Sequence, residues 1–353
     1  MTVGAKSVPG VRTCASPRRP AKRVHRARIV AAAALVAVAC SRGGDPGPTS
    51  ASSAHGTRSP RPALSIRLAP YRLTSPVQRE VAVFDGGTVY LAGGLDAAGS
   101  SAAGVFTLDP TSGTLMPVGA FSNAFHDAAG AVIGGRLFVF GGGPSQGSNL
   151  VQAFDLSTRT ARVVGHLPVT LSDLSSATVA GTVYLVGGYD NRTPRREIYA
   201  TTDGRHFRIT ARLPIGLRYP AVVAVGSLLV IAGGQAADGM VDTVYGLDTT
   251  SGSLSTLAHL PAPIGHAAAF AIGGIVYVAG GENSAGAAVA SVTMIDPTDG
   301  TVRRLPTLAR PVSDAGTVSL PDGALIVGGL RGSPINQVLQ ATLVPRRTSV
   351  GSP

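Results

Sequence analysis

The sequence predicts an all-β fold, a closed ring of six four-stranded sheets, on three observations. Gly-Gly pairs recur at Gly93-Gly94, Gly141-Gly142, Gly187-Gly188, Gly233-Gly234, Gly280-Gly281 and Gly328-Gly329, in steps of 48, 46, 46, 47 and 48 residues. Self-similarity at such a period marks a fold that copies one supersecondary unit. The runs leading into the pairs are continuously apolar, as in Leu137-Phe138-Val139-Phe140 and Val183-Tyr184-Leu185-Val186, which indicates strands buried on both faces by neighbouring sheets. The two ends of the repeat are also complementary. A lone strand precedes the first unit and the last unit lacks its fourth, so joining them closes the ring and removes an exposed strand edge.

The elements follow in order. Leu64 to Leu73 reads as a fourth strand without its first three. Each unit then opens on an apolar strand and a tight turn: Asp85-Gly86-Gly87, Gly134-Gly135, Ala180-Gly181, Gly226-Ser227, Gly273-Gly274 and Asp322-Gly323. Glycine there supplies the positive φ of a short hairpin. The second strand carries Tyr90, Phe138, Tyr184, Val230, Tyr277 and Leu325 three residues before the glycines. A third strand often closes on an acidic turn, at Leu108-Asp109-Pro110, Leu247-Asp248 and Ile295-Asp296-Pro297. The fourth leads into an apolar column, Leu73, Phe121, Leu167, Leu213, Leu260 and Leu308, twenty residues ahead of each pair. Gln337 to Val344 is the last strand.

These six pairs and the Tyr/Phe/Val strands before them resemble the kelch family over roughly Leu64 to Val344. The resemblance implies a six-bladed β-propeller with the N-terminal strand closing the last blade. Kelch units usually carry a tryptophan in the fourth strand, and this chain has none; Leu115, Phe207, Leu254 and Val302 stand at comparable places. Thr202-Asp203-Gly204-Arg205-His206-Phe207 also resembles a degenerate Asp-box, a structural turn of sialidases.

The net charge of +11 is unevenly spread. Residues 1–62 hold 11 Lys/Arg and one acidic residue, Asp45, leaving 19 Lys/Arg against 18 Asp/Glu in the remainder. A near-neutral body lacks the basic face of a nucleic-acid binder, so no nucleic-acid partner is expected. Residues 1–28 read as the basic n-region of an export signal. Residues 29–40 read as its apolar stretch, too short to span a bilayer. It ends in Ala37-Val38-Ala39-Cys40, which resembles a bacterial lipobox and makes Cys40 the expected lipidation site. Residues 41–62, rich in Gly, Ser and Pro, read as a flexible tether, 63–345 as the propeller, and 346–353 as a disordered tail. The expected location is outside the cytoplasmic membrane on a lipid anchor, with plain secretion as the alternative, and the expected state is a monomer. No cysteine follows Cys40, so the body has neither disulfide nor thiol chemistry.

Fourteen residues before each Gly-Gly stand Arg79, Asp127, Asp173, Tyr219, His266 and Asp314. All are polar beside apolar strands, and the kelch resemblance places them at one mouth of the central channel. The adjoining column adds Gln78, His126, Ser172 and Arg218, and the loops after Gly-Gly add Glu282 and Arg331 among others. Two readings stand side by side. Arg79, Asp127 and Asp314 alternate in sign and could pair across blades as structure, or the column could form a polar cup for a carbohydrate, glycan or peptide terminus. A metal set drawn from His126, Asp127, Asp173, His266 and Asp314 has nothing local to fix its geometry, so no metal or cofactor is expected.

Three function classes remain: a surface-displayed, non-catalytic scaffold holding a protein or glycan partner, a sugar-active enzyme, and a purely structural envelope protein. The scaffold is the preferred reading, with no catalytic residue assigned. The enzyme reading rests on the resemblance, because kelch propellers include a sialic-acid mutarotase. Such chemistry would need an acid/base pair in the cup, Glu282 with Arg331 or His266 with Asp314. Copper chemistry of the galactose-oxidase kind needs a cysteine cross-linked to tyrosine, which the body lacks.

Overall fold

The computed structural model describes residues 62–143 and 147–345. The expected signal, the lipidation site Cys40, nearly all of the tether and the tail lie outside the described residues. Among the described residues there is no helix, and so none long and apolar enough to cross a membrane.

The chain opens with β1 (Ala63–Val77) and continues into the antiparallel meander β2 (Val81–Asp85), β3 (Thr88–Ala92), β4 (Ala102–Leu108) and β5 (Leu115–Phe125). A seven-stranded sheet follows: β6 (Ala129–Ile133), β7 (Arg136–Phe140), β8 (Ser148–Asp155), β9 (Thr160–Val179), β10 (Thr182–Tyr189), β11 (Glu197–Thr201) and β12 (Arg208–Arg212). Next come β13 (Ala221–Val225) and β14 (Leu228–Ala232), then the small ribbon β15 (Gln235–Ala236) and β16 (Gly239–Met240). β17 (Thr243–Asp248) and β18 (Leu254–His259) complete the sheet begun by β13 and β14. The meander β19 (Ala268–Ile272), β20 (Ile275–Ala279), β21 (Val292–Asp296) and β22 (Thr301–Leu305) forms another sheet. The last sheet joins β23 (Gly316–Leu320), β24 (Gly323–Val327) and β25 (Ile335–Val344) to β1, in the order β1-β25-β24-β23. Both chain ends therefore share one sheet, with Ala63 opposite Val344 and Leu68 opposite Leu339.

The repeat predicts six separate sheets, whereas the described residues form four of four strands, one of seven and the two-stranded ribbon. The difference lies in β9, which runs unbroken and pairs with β8 through residues 160–171 and with β10 through residues 172–179. Corresponding segments of later units are interrupted by Pro214 and Pro220, Pro261 and Pro263, Pro306 and Pro311. Proline cannot donate to a ladder. Pro168 nevertheless lies within β9, and β5 and β6 are separate strands with no proline between them, so proline placement alone does not decide where a strand breaks.

The Gly-Gly period has a physical cause. The second glycine of each pair donates its N–H at 2.8 Å to a carbonyl at the entry to the next unit: Gly94 to Phe125, Gly142 to Leu171, Gly188 to Leu217, Gly234 to Ile264, Gly281 to Val312, and Gly329 back to Val77. The first glycine lies under the same carbonyl. A Cβ on Gly141, Gly187, Gly233, Gly280 or Gly328 would stand 2.3 to 2.4 Å from it, and each of these glycines has a φ near +60°. Only glycine meets both demands.

Packing repeats the same way. The apolar column from Leu73 to Leu308 is buried throughout, and the core divides into clusters wedged between neighbouring sheets. Leu115, Phe207, Leu254 and Val302, at the places of the missing tryptophans, are half-buried against these clusters, Phe207 edge-on to Phe140 at 6.1 Å. The acidic turns hold themselves: Asp109 and Asp248 each accept two backbone N–H groups through one carboxylate oxygen. Neighbouring sheets meet through their first strands in the circle β2, β6, β9, β13, β19, β23 and back to β2, a propeller arrangement.

Candidate functional site

Five of the six residues fourteen positions before the Gly-Gly pairs stand just ahead of a strand, Asp173 lies within β9, and all share one uncommon conformation. Their φ values are 58° at Arg79, 54° at Asp127, 59° at Asp173, 50° at Tyr219, 54° at His266 and 53° at Asp314. The left-handed region costs an L-residue about 1–2 kcal/mol, and Asp and His are among the residues that enter it most readily. The bend aims each N–H at its neighbour. Arg79 donates to the carbonyl of Asp314, Asp127 to Arg79, Asp173 to Asp127, Tyr219 to Asp173, His266 to Tyr219 and Asp314 to His266, at 2.8 to 3.3 Å. The circle closes on itself.

Side chains then cross the mouth above this circle. The Arg79 guanidinium lies between two carboxylates, with Nη1 3.1 Å from Asp127 Oδ2 and Nε 3.2 Å from Asp314 Oδ1. Tyr219 Oη donates to Asp127 Oδ2 at 3.3 Å, and its ring stacks on His266 with centroids 3.7 Å apart. His266 Nδ1 meets Asp314 Oδ1 at 2.6 Å. Arg218 pairs with buried Asp173 and lies over the rings of Tyr189 and Tyr219, 4.4 and 4.9 Å from their centroids. The alternation of sign read from the sequence is thus realised as ion pairs.

Burial and charge set the titration of the group. Burial pushes the Asp127 carboxyl up to about 7, with Asp173 and Asp314 adding to the effect against the pull of Arg79. Burial opposes ionisation of Asp314 too, but the His266 hydrogen bond and charge hold its carboxyl below the usual range. Arg79 would be lowered by burial, yet its carboxylate neighbours raise it. Burial and the Asp127 carboxylate raise Tyr219, and burial followed by the Arg79 charge lowers His126.

The outer column stands where expected because the residue after each Gly-Gly pairs by backbone with the residue before the ring position, as Glu282 does with Gly265 and Gln235 with Arg218. Glu282 Oε2 is thereby 3.8 Å from His266 Nε2. His126 Nε2 lies 3.7 Å from Asp127, and its Nδ1 is 2.8 Å from Ser101 Oγ. Arg331 departs from the expectation. Its Nε donates to the Pro311 carbonyl and its Nη2 to Gln337 Oε1, so the Glu282–Arg331 pair does not form and Arg331 braces a loop. The turn at Asp203 is exposed, with Asp203 Oδ1 accepting from the N–H groups of Arg205 and His206, and it has no part in the site. Arg195 is taken up by Asp190 and Glu197.

One residue was missed from sequence. Beneath the ring the channel is lined by Ala128, Leu174, Pro220, Ala267 and Ala315, and by Glu80. Glu80 is buried; Oε1 accepts from the Gly316 N–H at 3.2 Å and Oε2 has no hydrogen-bond partner. Burial pushes its carboxyl up to about 8. The signal was a break in the column, a single acid where five units carry Ala, Leu or Pro.

Comparison with known proteins agrees with the propeller arrangement. The kelch motif model matches residues 263–309, the unit that supplies His266 and Glu282. The chain is a β-propeller that carries a kelch motif. The kelch-like protein terF of Aspergillus terreus is 28% identical over 165 residues, 40% of this chain and 36% of that protein, so the propeller matches only about a third of that relative's length. The solved structure of YjhT superposes with a TM-score of 0.67 at 18% identity, over 77% of this chain and 95% of the other; at that identity the likeness speaks for the fold alone.

Proposed function

We propose that this propeller is a non-catalytic binding scaffold of six blades, in which the seven-stranded sheet counts as two blades sharing β9 and a protein or glycan partner is held on the ring face. The supporting observation is that Arg79, Tyr219 and His266 span the mouth and satisfy their neighbours there. What this leaves for a partner is a rigid polar surface. The side chains of Arg79 and Arg218 are 24% and 27% exposed, beside the half-buried Tyr189 ring. Guanidinium against aromatic faces suits a carbohydrate or a peptide end with an acidic group. The export signal and the lipid anchor at Cys40 belong to the same proposal and would display this face outside the cytoplasmic membrane.

Probing glycan and peptide arrays with the purified chain should give a ligand whose affinity falls at least tenfold, about 1.4 kcal/mol, in Arg218→Ala. Full affinity in that variant would defeat the ring-face reading. A second reading, a sugar-active enzyme, draws on the 2.6 Å contact of His266 with Asp314, an aligned acid/base pair. Acceleration of sugar anomer exchange, followed by NMR and abolished in His266→Ala, would replace the scaffold with the enzyme.

A further inference from the structure

We infer that the sheet β19–β22 holds a binding site for a small carboxylic acid with an apolar body, its tail in a cavity against the link from Leu260 to Ile264 and its head on Arg304. The cavity measures about 330 Å³ and lies between that link and strands β20, β21 and β22. Leu260, Pro263, Ile264, Val289, Val292 and Leu305 are among its walls. A space of this size, mostly apolar with a few polar groups, is the usual form of a small-molecule site. An apolar cavity of about 150 Å³ is enough to hold benzene, so this one has room for a chain of roughly eight carbons and its head group.

A break in the repeat accompanies this space. The residue two places before each Gly-Gly pairs with the third strand, and that partner pairs with the fourth. Residues directly opposite share a face of the sheet, so each unit presents a row of three side chains. The middle member is Phe106, Gln152, Tyr199, Tyr245 and Leu339 in five units. In the unit of Gly280-Gly281 it is Thr293. The outer member is Pro117, Val163, Ile209, Thr256 and Leu68 in those five, and Arg304 in this one. One unit therefore departs from both columns together. A small hydroxyl side chain stands in place of a larger one, beside a cation in place of an uncharged residue.

Val278, Thr293 and Arg304 all line the cavity, so this row grades from apolar through hydroxyl to guanidinium. Thr293 is 7% exposed, and its hydroxyl makes no hydrogen bond among the described residues; a buried hydroxyl without a partner is costly. Arg304 Nη2 donates to the Pro261 carbonyl at 3.2 Å, which fixes the guanidinium against the link. Arg304 forms no ion pair with a carboxylate of the described residues, and a guanidinium has further N–H donors beyond the one that Pro261 takes. A ligand carboxylate answers both groups. Its oxygens accept charge-assisted bonds from Arg304, with a lone pair left for the Thr293 hydroxyl, and its single charge matches one guanidinium.

The inference stands apart from the ring-face scaffold, because neither Arg218 nor His266 lines this cavity. The purified chain, titrated in a calorimeter at neutral pH, should bind octanoate saturably and at least roughly tenfold more tightly than octan-1-ol. Arg304→Gln should erase that preference and leave the affinity for octanol unaltered. Thr293→Tyr, which restores the bulk found at Tyr199 and Tyr245, should abolish binding of both compounds while the melting temperature stays near the parent's. Should Thr293→Tyr fail to fold, the octanoate-to-octanol ratio in Arg304→Gln decides alone. Arg303→Gln, on the opposite face of β22, should leave both affinities unchanged. Absence of saturable octanoate binding, equal affinity for octanol, a preference that survives Arg304→Gln, or binding retained in folded Thr293→Tyr would overturn the assignment.

Discussion

Arg79, Asp127, Asp173, Tyr219, His266 and Asp314 do two jobs with one conformation. Their left-handed backbones close the hydrogen-bonded circle, and the same bend brings their side chains together over the channel. The strain is distributed, each residue repaid by a bond given and a bond received. The polar column was legible from the Gly-Gly spacing, but its positive φ was not, since nothing in a lone Arg or Tyr announces it. Glu80 was readable only as a break in a column. It also makes a prediction. Its carboxyl is raised from 4.5 to about 8 in the folded chain, so the folded state holds a proton that the unfolded state releases. Its contribution is fully present below about pH 4.5 and is lost as the pH rises toward 8, at up to about 1.4 kcal/mol per pH unit; Asp127 acts with the same sign. Glu80→Gln should flatten the fall in melting temperature between pH 5 and 8 and melt above the parent at pH 8. Parallel pH profiles for the two proteins would refute this account of Glu80.

At the scale of elements, strand order and hairpin turns followed from glycine placement and apolar runs, because both obey local rules. The expected N-terminal strand, Leu64 to Leu73, lies within β1, and Gln337 to Val344 lies within β25. The fusion of two sheets through β9 was not legible, since residues 167–179 carry the same apolar and polar columns as the units whose sheets stay separate. Neither was the place of Arg331, which depends on loop geometry after Gly328-Gly329. The pairing of β1 with β25 buries Ala69 and Leu73 and provides the Val77 carbonyl that receives the Gly329 N–H. Removing residues 62–77 would forfeit several kcal/mol of burial and should lower the melting temperature by at least roughly 10 °C or abolish folding. A truncated chain that melts like the parent would mean that β1 contributes nothing to closure.

At the scale of the whole molecule, the near-neutral body and the basic leader have separate expected tasks, and the leader's is testable by fractionation. Cys40→Ser should move the protein from the membrane pellet to the soluble exported fraction; retention in the pellet would count against a lipid anchor. A repeat written six times in sequence constrains the shape of the scaffold strongly and its ligand hardly at all, because the period fixes where residues stand while the chemistry lies in those that break it.

The circle of six backbone hydrogen bonds at the mouth has an electrical consequence. All of its donors point in the same rotational sense, and dipoles arranged nose to tail around a loop sum to zero, unlike those stacked along a helix. The components of these bonds in the plane of the circle therefore cancel. The polarity an approaching molecule meets there is then set chiefly by the side chains above the circle, which can change while its backbone bonds remain.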